Sequence, residues 1–300
     1  MNRTSEGGTT ATAGGEPELI VLPSPETTAR EAAVRIAEAL AAAVAERGRA
    51  DWATTGGSSP VGIYRNLSES SVRRVAPWNA VQLWWGDDRY VPRDHPFSNV
   101  RIADQLLLGG TRYADGAGEI GSSADPNPEN RPAGVPIPVE NVHPFPAAEA
   151  IGEGRDAAWC ATRYIAELRA SGIRVEDGWP AFDAMLVGIG PDGHLLSVFP
   201  GSHAFDATDW ALAVPAPTHV EPHVERVTLN PRVLDVAGLV LAVVQGEAKA
   251  GIVAEIFGPE RDPRRWPAQL ARRAGAVWLL DEAAAARLPA AVRADAAPAR

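Results

Sequence analysis

Residues 181–194, AFDAMLVGIGPDGH, place an apolar run directly before a turn that holds three glycines, an aspartate and a histidine. The run at 181–188 predicts a buried β-strand, because a strand covered on both faces carries few polar side chains. Similar apolar runs occur at residues 19–22, 80–85, 239–244 and 276–280, and helical patterns separate most of them. This alternation predicts an α/β protein with three layers, in which helices cover both faces of a mostly parallel, Rossmann-like sheet in a single large domain.

The first predicted helix shows the signals that fix both of its ends. Ser24, Pro25 and Glu26 supply an N-cap, a first-turn proline and an early acid, and Gly48 ends the helix. Its apolar face consists of Ala33, Ile36, Ala37, Leu40 and Val44. Further helices are predicted up to about residue 67 and at 99–108, 149–170 and 247–257, with further strands at 51–55, 212–214 and 226–229.

Composition outside these segments sets the domain boundaries. Residues 1–16 lack periodicity and aromatic side chains and are predicted to be a disordered tail. Residues 109–134 are rich in Gly, Pro, Ser, Asn and Asp, and are interpreted as a surface insertion because regular elements resume on both sides. We expect the functional domain to span 17–287 and residues 288–300 to form a C-terminal tail.

The overall composition excludes several classes of protein. The single cysteine, Cys160, excludes a disulfide framework and any site with several thiolate ligands. A formal net charge of −10 argues against a nucleic-acid partner, which would need a basic surface. The apolar runs are far shorter than the roughly 18 residues that cross a membrane, and the polar start is no secretory signal. We therefore expect a soluble, cytoplasmic protein that binds neither nucleic acid nor membrane.

The loop after residue 187 is the strongest candidate for a reactive site, because ligands of open α/β sheets bind at the carboxyl ends of the strands. GIGPDG at 188–193 matches a dinucleotide-binding fingerprint literally, but Phe199, Pro200 and Gly201 arrive too soon for the long helix it requires. What remains is an aspartate two residues before a histidine. His194 is a candidate acid or base near neutral pH, and Asp192 is the candidate group that orients it.

Three further segments are candidates, and the first two, with Lys249 of the third, lie at the same predicted sheet edge. Gly56, Gly57 and Ser58 suit an anion-binding turn before a helix, although a plain strand-to-helix turn fits them equally well. The next segment, Asp87-Asp88-Arg89, could orient a sugar hydroxyl, a water or a phosphate, or form a solvated turn in which Asn99 caps the following helix. The last pairs Arg226 with Lys249, the single lysine among 28 basic residues. Both could bind an anion, although solvent exposure is the simpler expectation for Arg226 alone.

Signals for a metal or a cofactor are missing from the sequence. His219 and His223 are four residues apart, but Pro222 between them argues against a helical metal-binding pair. His95, His143 and His203 show no ligand spacing, and neither H-E-x-x-H nor G-x-S-x-G occurs. No metal and no cofactor are predicted.

Taken together and in order, these segments resemble the glucosamine-6-phosphate isomerase/6-phosphogluconolactonase family, and within it the lactonases. The matching stretches are GGSSP at 56–60, WGDDRYVP at 85–92 with SN at 98–99, VENVH at 139–143, GIGPDGHLLSVFPG at 188–201, RVTL at 226–229 and GEAKA at 246–250. The resemblance covers roughly residues 17–287. Ser59, Asp88, Leu195 and Leu196 depart from the residues usual in that family.

The resemblance implies hydrolysis of 6-phospho-D-glucono-1,5-lactone to 6-phospho-D-gluconate. This is the second step of the oxidative pentose phosphate pathway, which implies a functional link to glucose-6-phosphate dehydrogenase. His194 would then activate water, and Asp192 would orient His194. Arg89 would hold the substrate or stabilise the oxyanion. Residues 56–58 with Arg226 and Lys249 would hold the phosphate, and Asp87 would contact the substrate.

Two other functions compete with this interpretation. A sugar-phosphate isomerase or deaminase of the glucosamine-6-phosphate type shares the glycine-rich and Asp-Gly-His loops, but it typically has Asp-Glu-Tyr where this chain has Asp87-Asp88-Arg89. A non-catalytic sugar-phosphate sensor, as in transcriptional regulators, carries a helix-turn-helix ahead of the sugar domain. We expect no such unit here, since residues 1–16 are a short polar stretch.

Overall fold

The computed structural model describes residues 15–109 and 134–297. The strands are β1 (Glu18–Leu22), β2 (Ala50–Thr54), β3 (Val81–Trp85), β4 (Asp87–Arg89), β5 (Val142–His143), β6 (Val175–Glu176), β7 (Trp179–Pro180), β8 (Ala184–Val187), β9 (Ala211–Val214), β10 (Arg226–Leu229), β11 (Leu239–Val244) and β12 (Ala276–Asp281). The α-helices are α1 (Pro25–Arg47), α2 (Ser59–Ser68), α3 (Ser70–Arg73), α4 (Asn99–Leu106), α5 (Ala147–Gly152), α6 (Ala157–Ala170), α7 (Val233–Val236), α8 (Ala250–Ile256) and α9 (Ala290–Ala294).

Seven strands form one parallel sheet in the order β1-β12-β11-β8-β2-β3-β5. Every residue of the central strands β2 and β8 is buried, so the sheet is covered on both faces. The predicted class is therefore confirmed as a mostly parallel sheet flanked by helices. Because all seven strands run the same way, the loops after β2, β3, β8 and β11 emerge at one edge.

A smaller sheet continues from the end of β3 and was not anticipated. Strands β4, β10 and β9 pair antiparallel, with Arg226 opposite Arg89 and Thr228 opposite Asp87. Gly86 joins the two sheets: its N–H donates to Thr54 O at 2.8 Å, and its carbonyl accepts from Leu229 N at 2.8 Å. Short apolar runs do not reveal which partner a strand will find, since pairing depends on contacts distant in sequence.

Helix α1 forms as its sequence predicts. The Ser24 hydroxyl accepts from Thr27 N at 3.3 Å, the Thr27 hydroxyl accepts from Ser24 N at 3.0 Å, and Gly48 closes the helix at φ 75°. Only a glycine adopts that backbone conformation at little cost. The predicted apolar face packs into the core, where Ile36 and Leu40 are fully buried and Val44 lies at the margin.

Two predicted helices are shorter than expected. The segment 149–170 is broken into α5 and α6, because Gly154 takes a φ of 66° and Asp156 then caps α6 by accepting from Trp159 N at 2.8 Å. The segment 247–257 begins as a 3₁₀ turn, Glu247–Lys249, before α8. A glycine or a polar cap inside an otherwise helical pattern decides such breaks.

The predicted tails and insertion fall largely outside the described residues. Of the tail at 1–16 only residues 15 and 16 are described, and of the insertion at 109–134 only its two end residues are. The segment 288–297 contains α9, and Ala297 N donates to Leu19 O at 2.8 Å beside β1. No helix within 15–109 or 134–297 is both long enough and apolar enough to span a membrane.

Asp88 is a buried carboxyl at the start of α4. Its oxygens accept from Arg89 N and Asn99 N, each at 2.7 Å, and from the Ser98 hydroxyl at 3.1 Å. Burial raises the pKa of Asp88 to about 7, and the nearby Asp87 adds to this rise, whereas the two N–H donors and the charge of Arg89 oppose it. Of the two alternatives for this segment, the solvated turn is excluded by the burial of Asp87 and Asp88, and Ser98 rather than Asn99 is the N-cap of α4.

Asp88 should make the protein less stable as the pH rises. A folded-state pKa above the ordinary value means that the folded protein holds this proton more tightly, so stability falls between about pH 4 and pH 7 by at most about 1.4 kcal/mol per pH unit. Asp88→Asn keeps an acceptor for the two N–H groups but cannot ionise. We measure the free energy of unfolding in urea at pH 5 and at pH 8. The difference between variant and wild type should shift in favour of the variant from pH 5 to pH 8. An unchanged difference would contradict the buried ionisation.

Candidate active site

A cavity of about 220 Å³ opens where the loops after β2, β3, β8 and β11 meet. Eight of the nine residues singled out in the sequence line it: Gly56, Gly57, Ser58, Asp87, Arg89, His194, Arg226 and Lys249. The ninth, Asp192, lies against His194. The parallel sheet thus brings together segments that are up to 193 positions apart in the chain.

His194 and Asp192 form a directly bonded pair. Asp192 Oδ1 lies 2.5 Å from Nδ1 of His194 and 3.2 Å from its backbone N. Because an ionised carboxylate can only accept, Nδ1 must carry the proton, which leaves the Nε2 lone pair available. A neutral imidazole held in this tautomer is suited to take a proton from water.

Gly190 is needed for the imidazole to sit where it does. A Cβ on residue 190 would lie 2.0 Å from His194 Nδ1, which no real side chain tolerates. The Gly190 N–H donates to His194 O at 2.8 Å, and Gly193 turns the chain at φ 81°. As the sequence analysis required, no α-helix follows β8 within the described residues 188–202. The glycines therefore allow a tight loop to close around His194, and they are not part of a dinucleotide-binding turn.

Asp192 has a second histidine partner that the sequence analysis missed. Nε2 of His219 lies 2.8 Å from Asp192 Oδ2. Burial favours the neutral carboxyl, but the hydrogen bonds and charge of His194 and the hydrogen bond of His219 outweigh it and hold the pKa of Asp192 below its usual range. The spacing of His219 and His223 raises only the question of a metal-binding pair and gives no sign of this bond. The structure separates them, since His223 Nδ1 bonds to Pro217 O at 2.7 Å.

Arg226 and Arg89 bring two positive charges together at the cavity wall. They are directly opposite in the β4–β10 register. Arg226 is 2% exposed, so the expectation that it faces solvent is wrong, and its Nε has no hydrogen-bond partner. Burial lowers the pKa of Arg226, and the charge of Arg89 lowers it further, while Asp87 and Asp88 oppose the shift. Like charges directly opposite one another are unfavourable, and Asp87 and Asp88 offset this only in part.

The lone lysine reaches the same cavity from the turn before α8. Lys249 Nζ donates to the carbonyl of Ile189 at 2.7 Å. Burial lowers the pKa of Lys249, and the charge of Asp192 opposes the shift. Neither Lys249 nor the two arginines forms a carboxylate ion pair in the part of the chain that the structure describes. Three cations therefore face one cavity of a protein with a net charge of −10.

The glycine turn after β2 presents the start of α2 to the cavity. Ser58 precedes the helix and its side chain makes no capping bond. Pro60 carries no N–H and Val61 N donates to Ser58 O at 3.3 Å, so Ser59 has the N–H of the first turn that is left for another acceptor. Gly57 has a φ of 93°, and a Cβ at Gly56 would lie 2.1 Å from Oδ1 of Asn99. These features fit an anion-binding turn better than a plain connection.

Asp87 belongs to the framework of the site as well as to its lining. One oxygen accepts from the Ser197 hydroxyl at 2.7 Å, and the other lies 3.4 Å from both Thr55 Oγ1 and Asn99 Nδ2. A carboxylate offers about four acceptor positions, so Asp87 can accept one more hydrogen bond. Ser197 and Thr55 carried no recognisable sequence signal, because their roles arise only when three loops meet.

Metal binding finds no support in the described parts of the chain. Residues 15–109 and 134–297 contain no group of three His, Cys, Asp or Glu side chains that could hold an ion. Cys160 is buried, and burial raises its thiol pKa to about 12.

A methyl group at residue 190 should disturb the site, whereas one at residue 188 should not. Gly190→Ala must push the His194 ring away from Asp192, and such overpacking costs about 1–3 kcal/mol. A Cβ at Gly188 meets nothing within 4 Å, which makes Gly188→Ala the matched control in the same loop. Urea unfolding gives the stability of each variant, and histidine side-chain NMR reports on the His194–Asp192 bond. Equal behaviour of the two variants would refute the close approach.

Comparison with known proteins places this geometry in a family. Residues 23–279 match the family model described as glucosamine-6-phosphate isomerases/6-phosphogluconolactonase. The chain is 33% identical over 274 residues to a 6-phosphogluconolactonase of Synechocystis sp., covering 91% of this chain and 98% of that one. It is 34% identical over 272 residues to one of Mycobacterium tuberculosis, covering 90% and 97%.

Solved structures agree on the fold. A 6-phosphogluconolactonase from Trypanosoma brucei superposes with a TM-score of 0.72 at 25% identity, covering 91% of this chain and 99% of that one. A monomeric glucosamine-6-phosphate deaminase has a TM-score of 0.67 at 16% identity, covering 90% and 99%, and so shares the fold alone. The chain therefore belongs to the glucosamine-6-phosphate isomerase/6-phosphogluconolactonase family.

Proposed function

We propose that the protein hydrolyses 6-phospho-D-glucono-1,5-lactone to 6-phospho-D-gluconate. The observation that carries the proposal is that one cavity joins an aspartate-oriented histidine to three cations without carboxylate partners among the described residues. Such a site matches a substrate with a phosphate at one end and an electrophilic carbonyl at the other. The curated relatives at 33% and 34% identity are lactonases, whereas the deaminase with this fold is 16% identical.

The phosphate is proposed to bind between the start of α2 and the cations Arg226 and Lys249. Gly56, Gly57 and Ser58 offer backbone N–H groups, and α2 adds the positive end of its dipole. The like charges of Arg226 and Arg89 are relieved when an anion enters. Attraction for the substrate is therefore local and operates against the negative charge of the whole protein.

The reaction needs one proton acceptor that later becomes a donor. Nε2 of His194 takes a proton from water as the oxygen attacks the lactone carbonyl carbon, and Asp192 stabilises the imidazolium. Arg89 lines the same cavity and would stabilise the oxyanion. As the intermediate collapses, the bond between the carbonyl carbon and the ring oxygen breaks, and the imidazolium returns its proton to that oxygen. None of these steps calls for a metal or an organic cofactor.

Further assignments follow from the same proposal. Asp87 accepts a hydrogen bond from a sugar hydroxyl with its remaining acceptor position. The functional unit is residues 17–287. The strands of the central sheet span positions Glu18 to Asp281, and every residue that lines the cavity lies between these positions in the chain. The lactone also hydrolyses unaided, so the enzyme should act where the lactone is made. This links the enzyme to glucose-6-phosphate dehydrogenase and to the cytoplasm.

Replacing His194 should abolish most of the turnover and leave binding largely intact. A positioned acid–base group contributes roughly 10²- to 10⁴-fold, so His194→Ala should lower kcat by that factor with KM within a few-fold. His203→Ala, which removes an exposed histidine outside the cavity, is the control. The assay couples freshly generated lactone to 6-phosphogluconate oxidation. Ammonia release from glucosamine 6-phosphate with the lactone untouched, or binding of a sugar phosphate without any turnover, would overturn the proposal.

Replacing Lys249 should affect substrate binding more than the chemical step. Removing a half-buried cation that contacts the phosphate costs about 1.5–3 kcal/mol, so Lys249→Ala should lower kcat/KM about 10- to 100-fold, chiefly through KM. Lys249→Arg should not restore it, because a guanidinium fork cannot take the place of a compact ammonium. Arg30→Ala is the control: it removes a positive charge from an exposed side chain and should leave both kcat and KM unchanged. A fully active Lys249→Arg variant would show that the single lysine has no special role.

A further inference from the structure

The carboxylate of Asp192 is shared between two histidines. Oδ1 bonds to His194 at 2.5 Å and Oδ2 to His219 at 2.8 Å. We propose that His219 is a positioning residue. It holds the Asp192 oxygen that does not contact His194, and it thereby sets how strongly His194 keeps its proton. The proposal rests on the lactonase function and adds a group to its proton-transfer machinery.

His219 comes from a different part of the chain than the pair it supports. It lies in the segment between β9 and β10, whereas Asp192 and His194 follow β8. Its side chain is 50% exposed, while those of Asp192 and His194 are 15% and 14% exposed. Nε2 of His219 must donate, because the ionised carboxylate can only accept. The three groups therefore form a chain from solvent to the cavity.

A buried aromatic ring fixes the spacing of the two histidines. The Phe199 ring centroid lies 4.7 Å from that of His194 and 5.8 Å from that of His219. Phe199 is 7% exposed, so neither imidazole can move towards it without disturbing the core. The contact keeps both rings aimed at Asp192, one at each oxygen.

The segment that carries His219 also forms part of the cavity. Val220 and Glu221 line it, and the carbonyl of Pro222 accepts from Nη2 of Arg226 at 3.1 Å. His223 is bonded within the segment itself, to Pro217 O. The His219–Asp192 bond thus ties this wall of the cavity to the loop that carries the acid–base residue.

The charges around the pair give the direction of the effect. Lys249 acts on Asp192 from the turn before α8. Asp87 and Arg89 face the cavity from β4, Arg226 from β10 and Glu221 from the His219 segment. All of these remain when His219 is replaced. The hydrogen bond from His219 withdraws negative charge from Asp192 and so makes it a weaker partner for His194. Without that bond, His194 should hold its proton to a higher pH.

The test is the pH dependence of kcat/KM for the lactone in four proteins: wild type, His219→Ala, His219→Gln and His223→Ala. One hydrogen bond of ordinary strength corresponds to about 0.5–1 pH unit. The acid limb of His219→Ala should therefore move up by that amount. His219→Gln keeps an N–H donor at the same reach and should stay near the wild-type midpoint. His223→Ala, in the same segment but bonded away from Asp192, should not move it.

The remaining outcomes separate a positioning role from a merely structural one. A higher KM for His219→Ala with an unmoved acid limb would show that His219 only ties the segment down, and would overturn the proposal, as would a profile identical to that of the wild type. Histidine side-chain NMR of the substrate-free proteins supplies a readout that needs no activity, and there the His194 titration should move up in His219→Ala. If the wild type does not hydrolyse the lactone, the proposed function fails, while the NMR result still decides whether His219 acts on His194.

Discussion

Two arginines at directly opposite positions of neighbouring antiparallel strands are the constraint around which this site is built. Arg89 and Arg226 occupy opposite positions of β4 and β10, and Arg226 is buried with its Nε unpaired. The carboxyl groups of Asp87 and Asp88 offset part of their repulsion, and an anion bound beside both arginines would offset more of it. The pairing of β4 with β10 in the small antiparallel sheet places the two arginines opposite one another.

The His194–Asp192 pair depends on a second constraint, which is space for an imidazole inside a tight loop. The backbone at Gly190 lies so close to His194 that a Cβ would overlap the ring. The same closeness brings Nδ1 to Asp192 and fixes the tautomer, so that one steric requirement sets both position and protonation. Leu196 completes the loop at a φ of 52° and lines the cavity. A non-glycine residue in that conformation is under backbone strain, which the surrounding packing sustains.

Charge at the whole-molecule level and charge at the site have opposite signs. The protein carries a net charge of −10, yet Arg89, Arg226 and Lys249 face one cavity with Asp87 and Glu221 as its acidic neighbours. The backbone N–H groups at the start of α2 add to this local field. In the proposed function, an anionic substrate is therefore bound by short-range contacts rather than by long-range attraction, which salt and distance would weaken.

The sequence alone determined the class of fold, the chain segments that meet at the sheet edge and eight of the residues that line the cavity. It could do so because apolar runs, caps and glycine turns are local signals, and because parallel strands present their carboxyl ends together. Only the tertiary structure decided what these residues do to one another. The burial of Arg226, the opposition of the two arginines, the framework role of Asp87 and the second histidine on Asp192 all join segments far apart in the chain. Contacts of that kind depend on strand pairing and loop geometry, which leave no periodic trace in a single sequence.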